Sequence, residues 1–186
     1  MKQMRWALFL AAGALVSCNP KVQFSEPMPP ARFNLPNIPK AYRGVIEDDD
    51  TRWQIGKDTI IMGEEVMVNG EDFLLRRMAG HLVMSQPVVK TGQWEVVVIK
   101  REGDFMRTGW FDDDDDFIRK AGILLDVPPA ERKSNGTPGY SYYLLSPSAK
   151  AFKEMLKGGW YEANDEVVPL PRGGTVTPLG RTPQSN

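Results

Sequence analysis

His81 is the only histidine in the chain. Acid/base or metal chemistry built on imidazole needs a second group beside the ring. Coming directly after Ala79-Gly80, His81 reads as a turn or surface residue at the start of a strand. Asp112, Asp114 and Asp116 have the every-other spacing by which calcium loops supply oxygen ligands. An EF-hand counted from Asp112 needs Gly at its sixth position and Glu at its twelfth, and Phe117 and Ile123 stand there instead. The run is therefore expected to be a solvated acidic loop, with weak calcium binding outside the EF-hand pattern as the alternative. Glycoside hydrolysis needs two carboxylates at a set separation across a cleft, and no pair of acids is singled out by its surroundings. There is no Gly-x-Ser-x-Gly, no Gly-x-Gly-x-x-Gly and no Walker loop. Without a second base-bearing group, His81 implies no serine triad. Trp53, Trp94 and Trp110 fall on separate strands, either as core or as the lining of a ligand cavity on one side of a sheet. These residues give no reason to expect a catalytic centre, a resident metal or a cofactor.

The elements that would position such residues lie between Tyr42 and Phe111. Apolar runs rich in Val, Ile, Trp and Phe alternate there with turn residues at short intervals. Asn69-Gly70 between two such runs is the strongest hairpin signal, because a type I′ turn needs positive φ at both central residues. Gly56-Lys57-Asp58, Thr91-Gly92 and Glu102-Gly103-Asp104 punctuate the rest, and Glu47 to Asp50 forms an acidic turn. Strands are expected near 42–47, 52–56, 59–62, 65–69, 72–78, 81–86, 93–100 and 104–111. Connections this short force antiparallel neighbours. The expected fold class is mainly β, an antiparallel meander that closes as a barrel or folds as a sandwich, with a short C-terminal helix.

Beyond Phe111, the stretch from Phe117 to Leu125 reads as a short helix opened by the aspartates, or as another strand. Lys133 to Gly139 is a loop by composition, and Tyr140 to Leu145 a strand. A helix is expected near 147–158, with Ser146 as N-cap and Pro147 at the first helical position. Ala149, Phe152, Met155 and Leu156 share one face of it, and Gly158-Gly159 ends it. The β-rich domain is placed at 42–163 and a mobile tail at 164–186.

The N-terminus carries a different message. Met1-Lys2-Gln3-Met4-Arg5 precedes an apolar run from Trp6 to Val16, the layout of an export signal. It ends in Leu15-Val16-Ser17-Cys18, and Cys18 is the only cysteine, so it has no disulfide partner. This resembles the lipobox of bacterial lipoproteins. The resemblance implies cleavage after residue 17 and a diacylglyceryl group on Cys18. Loss of Lys2 and Arg5 leaves 21 basic against 24 acidic residues in a 169-residue mature chain. Neither that balance nor any basic patch suggests nucleic-acid binding. Residues 18–41, with six prolines, are expected to form a Pro-rich tether several tens of Å long at roughly 3 Å per residue. Phe24, Phe33, Leu35 and Ile38 are expected to dock on the domain.

Phe24-Ser25-Glu26-Pro27-Met28-Pro29 and Ile38-Pro39-Lys40-Ala41-Tyr42-Arg43-Gly44, followed by meander strands, resemble small lipoproteins of Bacteroidota. The resemblance implies attachment to the outer membrane and no known activity. Asn19-Pro20-Lys21 lacks the acids that follow the cysteine in many surface-exported members, which points to the periplasmic face. No Asp follows Cys18, so the inner-membrane retention signal is missing. Asp58-Thr59-Ile60 resembles an O-glycosylation acceptor of that phylum. Asn135-Gly136-Thr137 fits an N-glycosylation sequon, which the bacterial lipobox disfavours. The expected role is a non-catalytic envelope lipoprotein, an accessory or binding component of an envelope assembly, with the membrane and an envelope protein as partners. A β-barrel carrier of a lipid or small apolar ligand is the alternative, and an envelope hydrolase the second.

Overall fold

The structure, a computed structural model, describes residues 21–48, 51–125, 130–134, 141–164 and 167–170. Two sheets and two helices make three layers. Four short strands, β2 (Gly44–Asp48), β3 (Thr51–Ile55), β4 (Thr59–Met62) and β5 (Glu65–Val68), pair in chain order as an antiparallel meander. The chain then crosses to a larger sheet of nine strands. Its centre is the antiparallel run of β6 (Leu74–Met78), β7 (His81–Val88), β8 (Gln93–Glu102) and β9 (Phe105–Trp110). All eight of these strands lie within a few residues of the boundaries read from the turns. The sheets stack as a sandwich and no barrel closes.

Asn69-Gly70 does not make the hairpin that its sequence signals. It carries the chain from β5 in one sheet to β6 in the other. Gly70 holds φ +97°, and the Asn69 amide bridges by donating to the Leu35 carbonyl at 2.8 Å and accepting from the Leu75 N–H at 2.9 Å. The two-residue type I′ hairpin is Ala79-Gly80, with φ 51° and 84° between the paired residues Met78 and His81.

The tether expected over residues 18–41 is overturned for residues 21–41, which belong to the domain. Val22–Phe24 is β1, an interior strand of the large sheet. It runs antiparallel to the start of β8 and parallel to β11 (Ser141–Leu145), with Val22 opposite Tyr143 and Phe24 opposite Trp94. The parallel pair escapes the short-connection argument because well over a hundred residues separate its strands. The prolines that follow remove N–H donors and leave carbonyls to be satisfied. Buried Arg76 does this, its guanidinium donating to the carbonyls of Pro27 and Pro29 and to the Asn34 side chain. Ser85 exchanges two hydrogen bonds with the backbone of Met28. Phe24 and Ile38 are buried, and Phe33 and Leu35 pack against the core, as expected for docked apolar residues.

Each face of the large sheet has its own core. On one face Val83, Val96 and Val98 meet Phe24, Phe111 and the helices α1 (Asp115–Leu125) and α2 (Ala149–Lys157). On the other, Leu82, Met84 and Val97 meet Ile46, Trp53 and Met67 of the small sheet. The alternation along β8 follows from the two-residue period of a strand. Asp114 caps α1, its carboxylate accepting from the N–H groups of Asp116 at 2.6 Å and Phe117 at 2.8 Å. The helix reading of Phe117–Leu125 is thus the one realised. For α2 the N-cap is Ser148, accepting from Ala151 N at 3.2 Å, and not Ser146.

β10 (Ala130–Ser134) pairs the far side of β11, where only a loop was expected at its C-terminal end. The β9 edge is covered by β12 (Glu162–Ala163) and β13 (Val168–Pro169). Chain pairing therefore continues into the region expected as a mobile tail, at least to Leu170, whose N–H donates to the Asp104 carbonyl. The remainder of that region, the signal segment, the 49–50 turn and the 135–139 loop lie outside the described residues.

Candidate functional site

An apolar cavity of about 70 Å³ lies between the two sheets. Trp53, Ile55 and Ile60 line it from the small sheet, and Leu82, Val97 and Met106 from the large one. Ile38 and Tyr42 border it from the N-terminal segment. Its position follows from strand alternation: these large-sheet residues share the face turned toward the small sheet. Three lining side chains, Tyr42, Trp53 and Thr108, carry a polar atom. Thr108 is 4% exposed, and its hydroxyl has no hydrogen-bond partner among the described residues. A buried hydroxyl left unpaired costs about 1–3 kcal/mol.

Charge stands at one end of this cavity. Arg77 and Arg101 are exposed, and both bear on the Tyr42 phenol: burial pushes its pKa up and the two guanidinium groups pull it back down. In register, Arg77, Leu82, Ile99 and Thr108 form one row across β6 to β9. Arg101 lies on the same face of β8, two residues beyond Ile99. Further along that face a second unpartnered group appears. Gln86 is buried, with its amide oxygen unpaired and its nitrogen only 3.7 Å from the Met67 sulfur. Opposite it on β8 is Glu95, whose carboxyl is pushed up to about 7 by desolvation.

The three tryptophans do not gather at one site. Trp53 lines the cavity, Trp94 packs against the helix-side core on the other face of the sheet, and Trp110 is half-buried opposite Val97. Asp112, Asp114 and Asp116 do share a cleft, an open one of about 390 Å³ bordered also by Trp160, Tyr161 and Glu162. Their oxygens already have local work. Asp114 caps α1, Asp116 pairs with Arg119 and Lys120, and Asp112 accepts from Asp113 N and lies 3.9 Å from Lys21. Ion pairs and hydrogen bonds from Lys120 and Arg119 hold the Asp116 carboxyl below its usual value. Among the described residues no cluster of three or more His, Cys, Asp or Glu side chains is placed to hold a metal ion.

His81 is not the surface residue that its turn position suggests. It is buried, one ring nitrogen 3.0 Å from the Ala79 carbonyl and the other 3.1 Å from the Tyr161 hydroxyl. Burial lowers its pKa. Tyr161 continues edge-on to Phe111, which in turn contacts Phe24, Phe117 and Phe152. Neither this ring cluster nor Thr108 was singled out from the sequence. No signal available there joins residues so far apart, and a threonine in a strand is ordinary.

Cys18 lies outside the described residues. Three peptide units separate it in sequence from Lys21, the first described residue. No helix among the described residues is long and apolar enough to cross a membrane. Compared with protein-family models, with curated proteins and with solved structures, the chain matches none of them.

Proposed function

We propose that the chain is a non-catalytic, lipid-anchored protein of the cell envelope, held at the periplasmic face of the outer membrane through Cys18 and serving as a binding or accessory component of an envelope assembly. The observation that carries this reading is the lipobox cysteine standing directly before the fold. β1 begins four residues after Cys18, so an acylated sulfur brings the domain against the bilayer without a spacer. Two or more acyl chains make such attachment stable. The test is Cys18→Ser in the native host. The expected outcome is an unprocessed chain that no longer partitions with detergent-phase lipoproteins. A substituted chain that still fractionates as a lipoprotein refutes the anchor.

A second reading, retention of a small apolar ligand, is favoured by the inter-sheet cavity with its unpaired Thr108 hydroxyl. Size decides its form. At about 70 Å³ the void is roughly half the ~150 Å³ of an engineered cavity that admits benzene. A whole lipid tail does not fit between the sheets as they stand, but a few carbon atoms do.

A further inference from the structure

We propose, on the basis of that second reading, that the inter-sheet cavity binds a short amphiphilic carboxylate. A few carbons of its tail sit between the sheets, and its anionic head meets Thr108, Arg101, Arg77 and Tyr42.

Three independent features fix the class. The exposed surface of the cavity is almost wholly apolar, with Thr108, Tyr42 and Trp53 the lining side chains that carry a polar atom, so a body without polar atoms enters at little desolvation cost. The Thr108 hydroxyl is buried and unpartnered, so an occupant that supplies an oxygen beside it is preferred over a plain hydrocarbon. The end of the cavity near Tyr42 carries two guanidinium groups, neither of them ion-paired among the described residues; Arg101 donates one N–H to the Gly103 carbonyl at 2.8 Å. Guanidinium presents forked donors that match a carboxylate. Arg101 and Thr108 are also diagonal neighbours on one face of the β8–β9 pair, since Arg101 opposes Met106 and Ile99 opposes Thr108. Diagonal neighbours lie within reach of long side chains, so one head group can engage both.

The site separates ligands by head and by tail. A cation is disfavoured by the arginines, a neutral alcohol gains nothing from them, and a carboxylate without a tail leaves the cavity empty. Exposed guanidinium–carboxylate contacts are individually modest, so two of them account for roughly a tenfold preference for the anion.

Hexanoate, hexanol and acetate are titrated into the full chain in lipid nanodiscs, and the methyl resonances of Ile55, Ile60, Ile99, Met84 and Met106 are followed. Hexanoate is expected to shift these methyls with an affinity about tenfold above that of hexanol, and acetate to leave them unmoved. The exposed double variant Arg77→Gln/Arg101→Gln is expected to bring hexanoate down to the level of hexanol. Thr108→Val, close to isosteric, is expected to weaken hexanoate while the methyl spectrum stays folded. Equal binding of hexanoate and hexanol, or no effect of the double variant, overturns the head-group assignment and leaves the apolar-ligand reading standing. Cavity methyls unmoved by both six-carbon probes overturn the two together.

Discussion

Glu95→Gln should stabilise the domain at pH 8 and do almost nothing at pH 4. Glu95 opposes Gln86 on the face of β8 that meets the small sheet, and desolvation raises its carboxyl from 4.5 to about 7. A folded value above the unfolded one means that the folded chain holds the proton more tightly. That contribution is fully present below pH 4.5 and is lost as pH rises through 7. The gap between 4.5 and about 7, at 1.36 kcal/mol per tenfold, caps the penalty of the ionised form near 3 kcal/mol. The residue is half-buried, and residual solvent screening brings the expected figure to about 1–2 kcal/mol. Glutamine imitates the protonated acid in size and polarity, so it removes the penalty without changing the packing. The assay is denaturant unfolding of wild type and variant side by side at pH 4, 5, 6, 7 and 8, because other titrating groups cancel in the difference. The variant should lie within a few tenths of a kcal/mol of wild type at pH 4 and gain about 1–2 kcal/mol by pH 8, some 2–8 °C in Tm for a domain of this size. A difference that stays constant across the series refutes the argument, because it shows that Glu95 titrates alike in both states.

Two further changes probe the points where the fold departs most from its sequence signals. Phe24→Ala removes a fully buried ring that meets Phe111 at 5.2 Å and Phe152 at 5.9 Å, and should cost about 3–5 kcal/mol in chemical denaturation; a loss under about 1 kcal/mol would restore the tether reading of this segment. Ser148→Ala should cost about 1 kcal/mol as the loss of the α2 cap, whereas Ser146→Ala should leave stability within a few tenths in the same measurement.

What the sequence made legible was local. Glycines at the chain reversals and apolar runs between them placed the eight consecutive strands from Gly44 to Trp110, because turn chemistry and side-chain period act over a few residues. What it hid was partnership. Asn69-Gly70 has the composition of a hairpin, but Asn69 spends its side chain on Leu35 and Leu75, residues of two other segments, and the turn becomes a crossing between sheets. β1 is three residues in a proline-rich setting, and only its neighbours Tyr143 and Trp94 make it a strand. β10 reads Ala-Glu-Arg-Lys-Ser, with no alternation to detect, which is how charged edge strands avoid pairing with other chains. For the candidate site the division is the same. The acidic run and the tryptophans were visible as residue types, but cap geometry, ion pairs and the face each residue takes decide their use. Thr108 and the two arginines mean something only once the strands from β6 to β9 are in register.

The position of β1 changes what an anchor at Cys18 would do. A spacer of twenty residues isolates a domain from its tether, and tension or tilt at the membrane is absorbed by slack chain. Here the chain passes from Cys18 to an interior strand in four residues, and that strand is clamped between β11 and β8 with Phe24 at the centre of the ring cluster. With a lipid at Cys18, any pull on it would be delivered along the hydrogen bonds of the large sheet. With an anchor at Cys18, the short reach would bring the surface around Lys21, whose ammonium lies 3.0 Å from Asp113, nearest the head groups. The cavity belongs to the side of the large sheet away from the helices, where the small sheet packs. Anchored in this way, the domain would keep its β1 end at the bilayer through a link of four residues and would present the remaining surface to a partner in the envelope.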